Sequence, residues 1–247
     1  MKRSPLMTAW LGFRSVLLVV GFSLITGVMG LFAPLLGLAP YPWRVKYIQT
    51  WARLSLLWAR FSCGIKWNTK GYENLDLAQA AIILPNHQST WETMYLLMKM
   101  PAMSFVIKKE LLNIPFFGWG MAQSRPIAID RSAGGTSVDQ INVNGKARLD
   151  EGNWVCIFPE GTRVAPNQSM RFKSGGGLLA VHSGYDVYPI AHNAGECWPK
   201  HGFIKTPGTI TLSFGPKIEV AGKQAPEVMK AVEAWITQER AALPAVR

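Results

Sequence analysis

His87 and Glu92 are the first residues in this chain whose types and spacing could do chemistry. An imidazole with a carboxylate five residues on is arranged like a general base and its orienter. The acid accepts from one ring nitrogen and leaves the other to take a proton. Glu92 could equally serve the start of a helix, through the macrodipole or a cap. The pair alone leaves both readings open. A second constellation stands about seventy residues further on, where Phe158-Pro159 is followed by Glu160-Gly161-Thr162-Arg163.

The elements that must position these groups can be read from the flanking residues. The apolar run Ala80-Ala81-Ile82-Ile83-Leu84 stops at Pro85, immediately before Asn86-His87, and reads as a buried strand. Ser89 or Thr90, followed by Trp91-Glu92-Thr93-Met94-Tyr95-Leu96-Leu97, reads as a helix start. His87 is therefore placed at a strand-to-helix corner, where open α/β sheets collect their reactive groups. Trp154-Val155-Cys156-Ile157-Phe158 is another buried-strand run, ending in Pro159 and charged residues. Two strands that each end in a proline and a titratable group predict one shared crevice.

Taken together, Asn86-His87-Gln88-Ser89 with Glu92, and Phe158-Pro159-Glu160-Gly161-Thr162-Arg163, resemble the glycerolipid acyltransferase family. The likeness is closest to its 1-acylglycerol-3-phosphate acyltransferase branch. The usual first block is His, four residues, then Asp; here the acid is Glu92, one methylene longer. Ile129-Asp130-Arg131 looks like the second block and Glu160-Gly161-Thr162-Arg163 the third, both implicated in that family in holding the glycerol-phosphate acceptor. Val187-Tyr188-Pro189-Ile190 resembles the fourth, acyl-side block, and Lys108-Lys109-Glu110-Leu111 with Ile114-Pro115 and Gly118-Trp119 the link between the first two.

The resemblance implies a glycerol-3-phosphate acyltransferase-like fold and direct attack of an acceptor hydroxyl on an acyl thioester. His87 is the expected base, oriented by Glu92, with turn amides stabilising the oxyanion. No covalent acyl-enzyme and no cofactor is required, because acyl-CoA or an acyl carrier protein brings the activated acyl group as a co-substrate. The expected acceptor is lysophosphatidate and the product phosphatidic acid. Arg131, Arg163 and Lys109, with Lys108 beside it, are the expected phosphate-binding cations, and Glu160, Gly161 and Thr162 shape that pocket. Arginine suits phosphate because its planar fork makes two charge-assisted hydrogen bonds. Another lyso-lipid or a lipid amine remains a possible acceptor. A lipase would need Gly-x-Ser-x-Gly, which is absent.

Charge and hydropathy place this chemistry beside a membrane. Twenty-six Lys and Arg against fifteen Asp and Glu give a net charge of +11, which favours an anionic partner. No acidic residue precedes Glu73, whereas Arg14, Arg44, Lys46, Arg53, Arg60, Lys66 and Lys70 interleave with apolar runs and tryptophans. That interleaving points to membrane lipids rather than nucleic acid, and a non-catalytic membrane-binding protein is the rival reading from another class. Ser15 to Ala33 carries no charge and is long enough to cross a hydrocarbon core as a helix. It reads as a retained anchor in the inner or cytoplasmic membrane, spanning or dipping into one leaflet, with the catalytic face toward the cytoplasm. A cleaved signal peptide is the alternative. Cys63, Cys156 and Cys197 are odd in number and widely spaced, which suits a reducing compartment and not a disulfide framework. His192 and Cys197 lack further ligands at metal-binding spacing.

The organisation expected is an N-terminal membrane-anchoring helical hairpin over 1–70 and an α/β domain over 71–247. In the first, Tyr47, Trp51, Leu54, Trp58 and Phe61 recur on one helical face. In the second, strands are expected at Ala80–Leu84, Met103–Ile107, Ile127–Ile129, Trp154–Phe158, Val187–Ile190 and Thr209–Phe214, forming a mostly parallel sheet flanked by helices. Gly175-Gly176-Gly177 lacks the remainder of a P-loop and reads as a close-packing or flexible loop. A final amphipathic helix starts near Pro226.

Overall fold

The computed structural model describes residues 4–130 and 136–246, so Arg131 lies outside the described residues. The first helix, α1 (Pro5–Phe32), starts where Ser4 accepts the Met7 amide and Pro5 takes the first helical position. A 3-10 turn, Ala33–Leu38, follows. The chain then returns as α2 (Tyr41–Cys63), which ends at Gly64 in the left-handed region with φ of 70°.

Side chains of α2 bond the backbone and side chains of α1 along an antiparallel hairpin. Trp58 Nε1 donates to the Leu17 carbonyl at 2.9 Å, Trp51 Nε1 to Thr26 Oγ1 at 3.1 Å, and the Tyr47 hydroxyl to the Met29 carbonyl at 2.8 Å. Gly21 permits this approach, since a Cβ there would lie 2.1 Å from the Trp58 ring. The aromatic stripe read from the sequence is thus divided: Tyr47, Trp51 and Trp58 are half-buried against α1, while Leu54 and Phe61 are exposed. The deepest stripe of α2 is offset from it and built largely of small side chains, Ala52, Ser55, Ala59 and Cys63 among them. The outer face of α1 exposes Leu6, Trp10, Phe13, Val20, Leu24 and Leu31. Among the described residues, one helix, running from Pro5 through the 3-10 turn to Leu38, is long and apolar enough to cross a membrane.

Seven strands among the described residues form one sheet: β1 (Ile65–Lys70), β2 (Ile82–Pro85), β3 (Met103–Lys108), β4 (Ile127–Ile129), β5 (Trp154–Cys156), β6 (Val187–His192) and β7 (Gly208–Phe214). Their spatial order is β1-β7-β6-β2-β5-β3-β4. From β6 to β4 all neighbours are parallel; β7 runs antiparallel to β6, and β1 pairs parallel to β7. Each of the six strands expected from the sequence is present, and β1 is the additional one. Ile65–Lys70 alternates buried and more exposed residues along a sheet edge, so only its inward side chains carry an apolar signal.

Alternate residues serve the two faces, as the strand period requires. Ile83, Phe105, Cys156, Tyr188 and Leu212 pack on the side of α2 and of α3 (Trp91–Lys99). Ile82, Leu84, Val106, Val155 and Val187 pack on the opposite side. That side is covered by α5 (Thr136–Asp150), α6 (Gly175–Ser183) and α8 (Ala225–Ala242), while α4 (Phe117–Ala122) packs on the first side under the end of α1 and the short α7 (Ala194–Cys197) follows β6. Helix α6 opens on the glycine run. A Cβ at Gly176 would lie 2.7 Å from Leu84 Cδ2, and one at Gly177 2.6 Å from the Ala225 carbonyl oxygen. The run serves close packing between β2 and α8.

Candidate active site

Strands β2, β5, β3 and β4 are parallel neighbours, so their carboxyl ends open on one edge of the sheet. Their continuations carry His87, Glu160 to Arg163, Lys108-Lys109 and Asp130 respectively. At the β2 corner, His87 Nδ1 lies 2.8 Å from Glu92 Oε1. The same oxygen accepts the Gln88 amide at 2.9 Å and the Ser89 amide at 2.8 Å. Glu92 thus serves both readings of the motif, orienting the imidazole and satisfying amides ahead of α3, which an acid in the first turn is placed to do.

Glu92 is fully buried, and its Oε2 has no hydrogen-bond partner among the described residues. Burial alone would raise its carboxyl; the imidazoles of His192 and His87 and the Ser89 amide outweigh that and hold it below the ordinary value. An ionised Glu92 can only accept, so His87 Nδ1 carries the proton and donates it in this hydrogen bond, which leaves Nε2 as the basic nitrogen. The imidazole keeps 18% of its surface open. It is stacked on Phe158, ring centroids 3.8 Å apart and planes at 19°, so the aromatic that ends the β5 run fixes the ring plane.

The two loops are bonded to each other. Glu160 Oε1 accepts the His87 amide at 3.1 Å, and the Val164 amide donates to the His87 carbonyl at 2.7 Å. Arg163 Nη1 donates to Thr90 Oγ1 at 2.9 Å, and Lys200 Nζ donates to Thr162 Oγ1 and to the Arg163 carbonyl, each at 3.1 Å. Gly161 adopts φ of 68°, and a Cβ there would meet the Lys173 ammonium at 3.0 Å. Glu160 is buried and its pKa is pushed up to about 7 by that burial, the His87 amide opposing the rise.

Of the residues expected at the site, His87, Glu160, Gly161, Thr162 and Arg163 therefore stand on two loops joined by hydrogen bonds, with Glu92 in the first turn of α3. Glu160 bonds the main chain of His87. Lys108 and Lys109 stand at the end of β3 and are exposed. Lys109 pairs with the Asp130 carboxylate at the end of β4, and no hydrogen bond or ion pair among the described residues ties either lysine to His87. Pro189 and Ile190 lie in β6, buried between β2 and β7.

Other residues at the site escaped the motif reading. Thr90 holds Arg163, and Lys200 holds the third-block loop from a segment more than thirty residues away in sequence. Asn86 and His192 are bonded across β2 and β6. The sequence marked Asn86 as part of the first block and Thr90 only as a helix start; Lys200 and His192 are brought in by strand order.

The family model described as "Acyltransferase" matches residues 66–193, which include both loops. A 1-acyl-sn-glycerol-3-phosphate acyltransferase of Pseudomonas aeruginosa is 40% identical over 238 residues, covering 94% of this chain and 90% of its own. The human 1-acyl-sn-glycerol-3-phosphate acyltransferase beta is 27% identical, over 70% of this chain and 63% of its own. The crystal structure of the 1-acyl-sn-glycerophosphate acyltransferase PlsC from Thermotoga maritima superposes with a TM-score of 0.77 at 23% identity. It covers 94% of this chain and 97% of its own, which establishes a common fold. The chain belongs to the acyltransferase family and, within it, to the 1-acyl-sn-glycerol-3-phosphate acyltransferase branch.

Proposed function

We propose that this protein transfers a fatty acyl group from acyl-CoA or an acyl carrier protein to the sn-2 hydroxyl of 1-acylglycerol-3-phosphate, giving phosphatidic acid. The observation that carries the reading is the contact of His87 Nδ1 with Glu92 Oε1 at 2.8 Å, which directs the basic Nε2 away from the carboxylate. Nε2 removes the proton of the acceptor hydroxyl as its oxygen attacks the thioester carbonyl. The carbonyl oxygen gathers negative charge and the thiolate leaves. No cofactor takes part.

The amides of His87, Gln88, Ser89 and Val164 are already bonded within the protein. The oxyanion therefore falls to other backbone amides at these turns. Arg163 binds the acceptor phosphate, with Lys108 and Lys109 as further cations along the same sheet edge; Arg131, outside the described residues, is proposed as another from its place in the second block. Glu160 and Gly161 hold the loop in shape. The exposed apolar face of α1 and the basic residues of α2 support a site at a membrane surface; the cytoplasmic face is proposed for it.

The test is acyl transfer from a labelled acyl thioester to 1-acylglycerol-3-phosphate in detergent micelles. His87→Ala should lower kcat by about a thousandfold, within the range of general-base contributions, while the protein stays folded. Undiminished turnover by the alanine variant would exclude His87 as the base. Failure of the parent protein on this acceptor but success with another lyso-lipid would replace the substrate and keep the chemistry.

A further inference from the structure

His192 is the last residue of β6 and is fully buried, away from the reacting atoms of the proposed acyl transfer. Both of its ring nitrogens are engaged. Nδ1 accepts the Ala194 amide at 3.2 Å and therefore carries no proton. Nε2 bears it and donates to the Asn86 carbonyl oxygen at 2.6 Å. The Asn86 side chain completes the link, its Oδ1 accepting the His192 amide at 2.9 Å and its Nδ2 donating to the His192 carbonyl at 3.2 Å. His192 Nε2 also stands 3.8 Å from Glu92 Oε1.

The surroundings make the choice of residue informative. Ile190, Ala191 and Ala194 nearby are fully buried and apolar, whereas His192 joins Asn86, Glu92 and Asn193 in a buried polar group at this end of β6. Burying it is unfavourable unless both nitrogens are paired, and here both are. An apolar residue of the same size would leave the Asn86 carbonyl and the Ala194 amide without these partners. That carbonyl belongs to the peptide joining Asn86 to His87.

We infer that His192 is a positioning residue for the acyl-transfer base: its Nε2–H pins the Asn86–His87 peptide and faces the Glu92 carboxylate, fixing the direction of the His87 imidazole. The inference rests on His87 being the base. His192 touches no reacting atom; it acts through Asn86 and Glu92.

Two substitutions separate this role from simple packing. In His192→Gln the side-chain amide nitrogen falls near the place of Nε2 and can still donate to the Asn86 carbonyl. In His192→Asn the shorter amide reaches the level of Nδ1 and not that carbonyl. The full-length protein in detergent micelles, with acyl-CoA and 1-acylglycerol-3-phosphate, gives kcat and the acceptor KM separately. The Asn variant should lose about tenfold or more in kcat, with the acceptor KM changed by no more than about twofold, since misorientation of a base is felt in the chemical step. The Gln variant should recover kcat to within about threefold of the parent. Equal kcat for two folded variants, or a loss confined to acceptor KM, overturns the inference. Should the Asn variant not fold, the Gln variant decides alone: near-parent kcat supports the pinning contact and a tenfold fall overturns it. His87→Ala, run alongside, keeps the two readings apart. Turnover by that variant removes the base assignment itself, whereas an inactive His87→Ala with equal His192 variants removes only the positioning role.

Discussion

Glu160 and His87 are joined through the main chain: the carboxylate of the third-block acid accepts the amide of the imidazole-bearing residue at 3.1 Å, and that acid is only 3% exposed. Its orientation places it behind the base, where it clamps the β2 corner to the loop after β5. The Val164 amide returns the clamp to the His87 carbonyl. A shift in the Glu160 loop is therefore transmitted to His87 by backbone bonds.

The burial of Glu160 makes stability depend on pH. Burial raises the Glu160 pKa from 4.5 to about 7, so between those values the folded state holds a proton that the unfolded chain has released. Stability should fall as pH rises through that window, by up to about 3 kcal/mol. Glu160→Gln keeps an oxygen for the His87 amide and removes the titration. Its unfolding midpoint in denaturant should match the parent near pH 5 and exceed it near pH 8. A parent midpoint flat across this range would show that Glu160 ionises without hindrance.

Glu92 invites a test of its length. Its Oε1 collects His87 Nδ1 and the amides of Gln88 and Ser89 from the first turn of α3. An aspartate on this backbone is one methylene shorter and cannot keep all three bonds. Glu92→Asp should lower kcat by about tenfold or more. It should also cost about 1–3 kcal/mol of stability, because a buried amide loses its acceptor. Kinetics and denaturant unfolding on the same preparation check both, and an aspartate variant equal to the parent in each would mean the corner adjusts freely.

The two motif-bearing strands were legible because each is a short apolar run cut off by proline, and the helix after Thr90 because its first residues follow a polar stop. The parallel order of the central strands follows from the helices between them. The edge strand β1 was not legible: half its side chains face outward, and its partner β7 lies about 140 residues away in sequence. The same distance problem hid Lys200 and His192, whose contacts exist only once β6 lies beside β2. Lys109 shows the same limit at short range: its pairing with the Asp130 carboxylate joins the ends of β3 and β4, which meet only when the two strands are neighbours in the sheet.

Gly177 offers a test of packing apart from chemistry. A Cβ there would press on the Ala225 carbonyl oxygen at 2.6 Å and on Met229 Cγ at 2.8 Å. The carbonyl is backbone at the first turn of α8 and cannot move without shifting that helix. Gly177→Ala should destabilise by about 1–3 kcal/mol, the range for overpacking a filled interior, despite alanine's better helix propensity. Thermal unfolding reads the difference; a stabilised variant would mean that α8 can move out at little cost.

Arg163 and Thr90 form the contact that most directly links the two loops on the side-chain level, with Nη1 donating to Oγ1 at 2.9 Å. Thr90 precedes α3 and does not cap it with its side chain, so its hydroxyl is available to the guanidinium. Under the proposed function this contact aims the fork at the acceptor phosphate. Arg163→Lys keeps the charge and loses the fork, so the acceptor KM should rise about tenfold with kcat nearly unchanged. Thr90→Val removes the contact and leaves both the guanidinium and His87 in place, and should raise the same KM by a smaller factor. If Thr90 acts only by aiming Arg163, the double variant should be no worse than Arg163→Lys alone, since coupled residues are not additive. Fully additive KM effects across the cycle would mean that Thr90 meets the acceptor independently of Arg163.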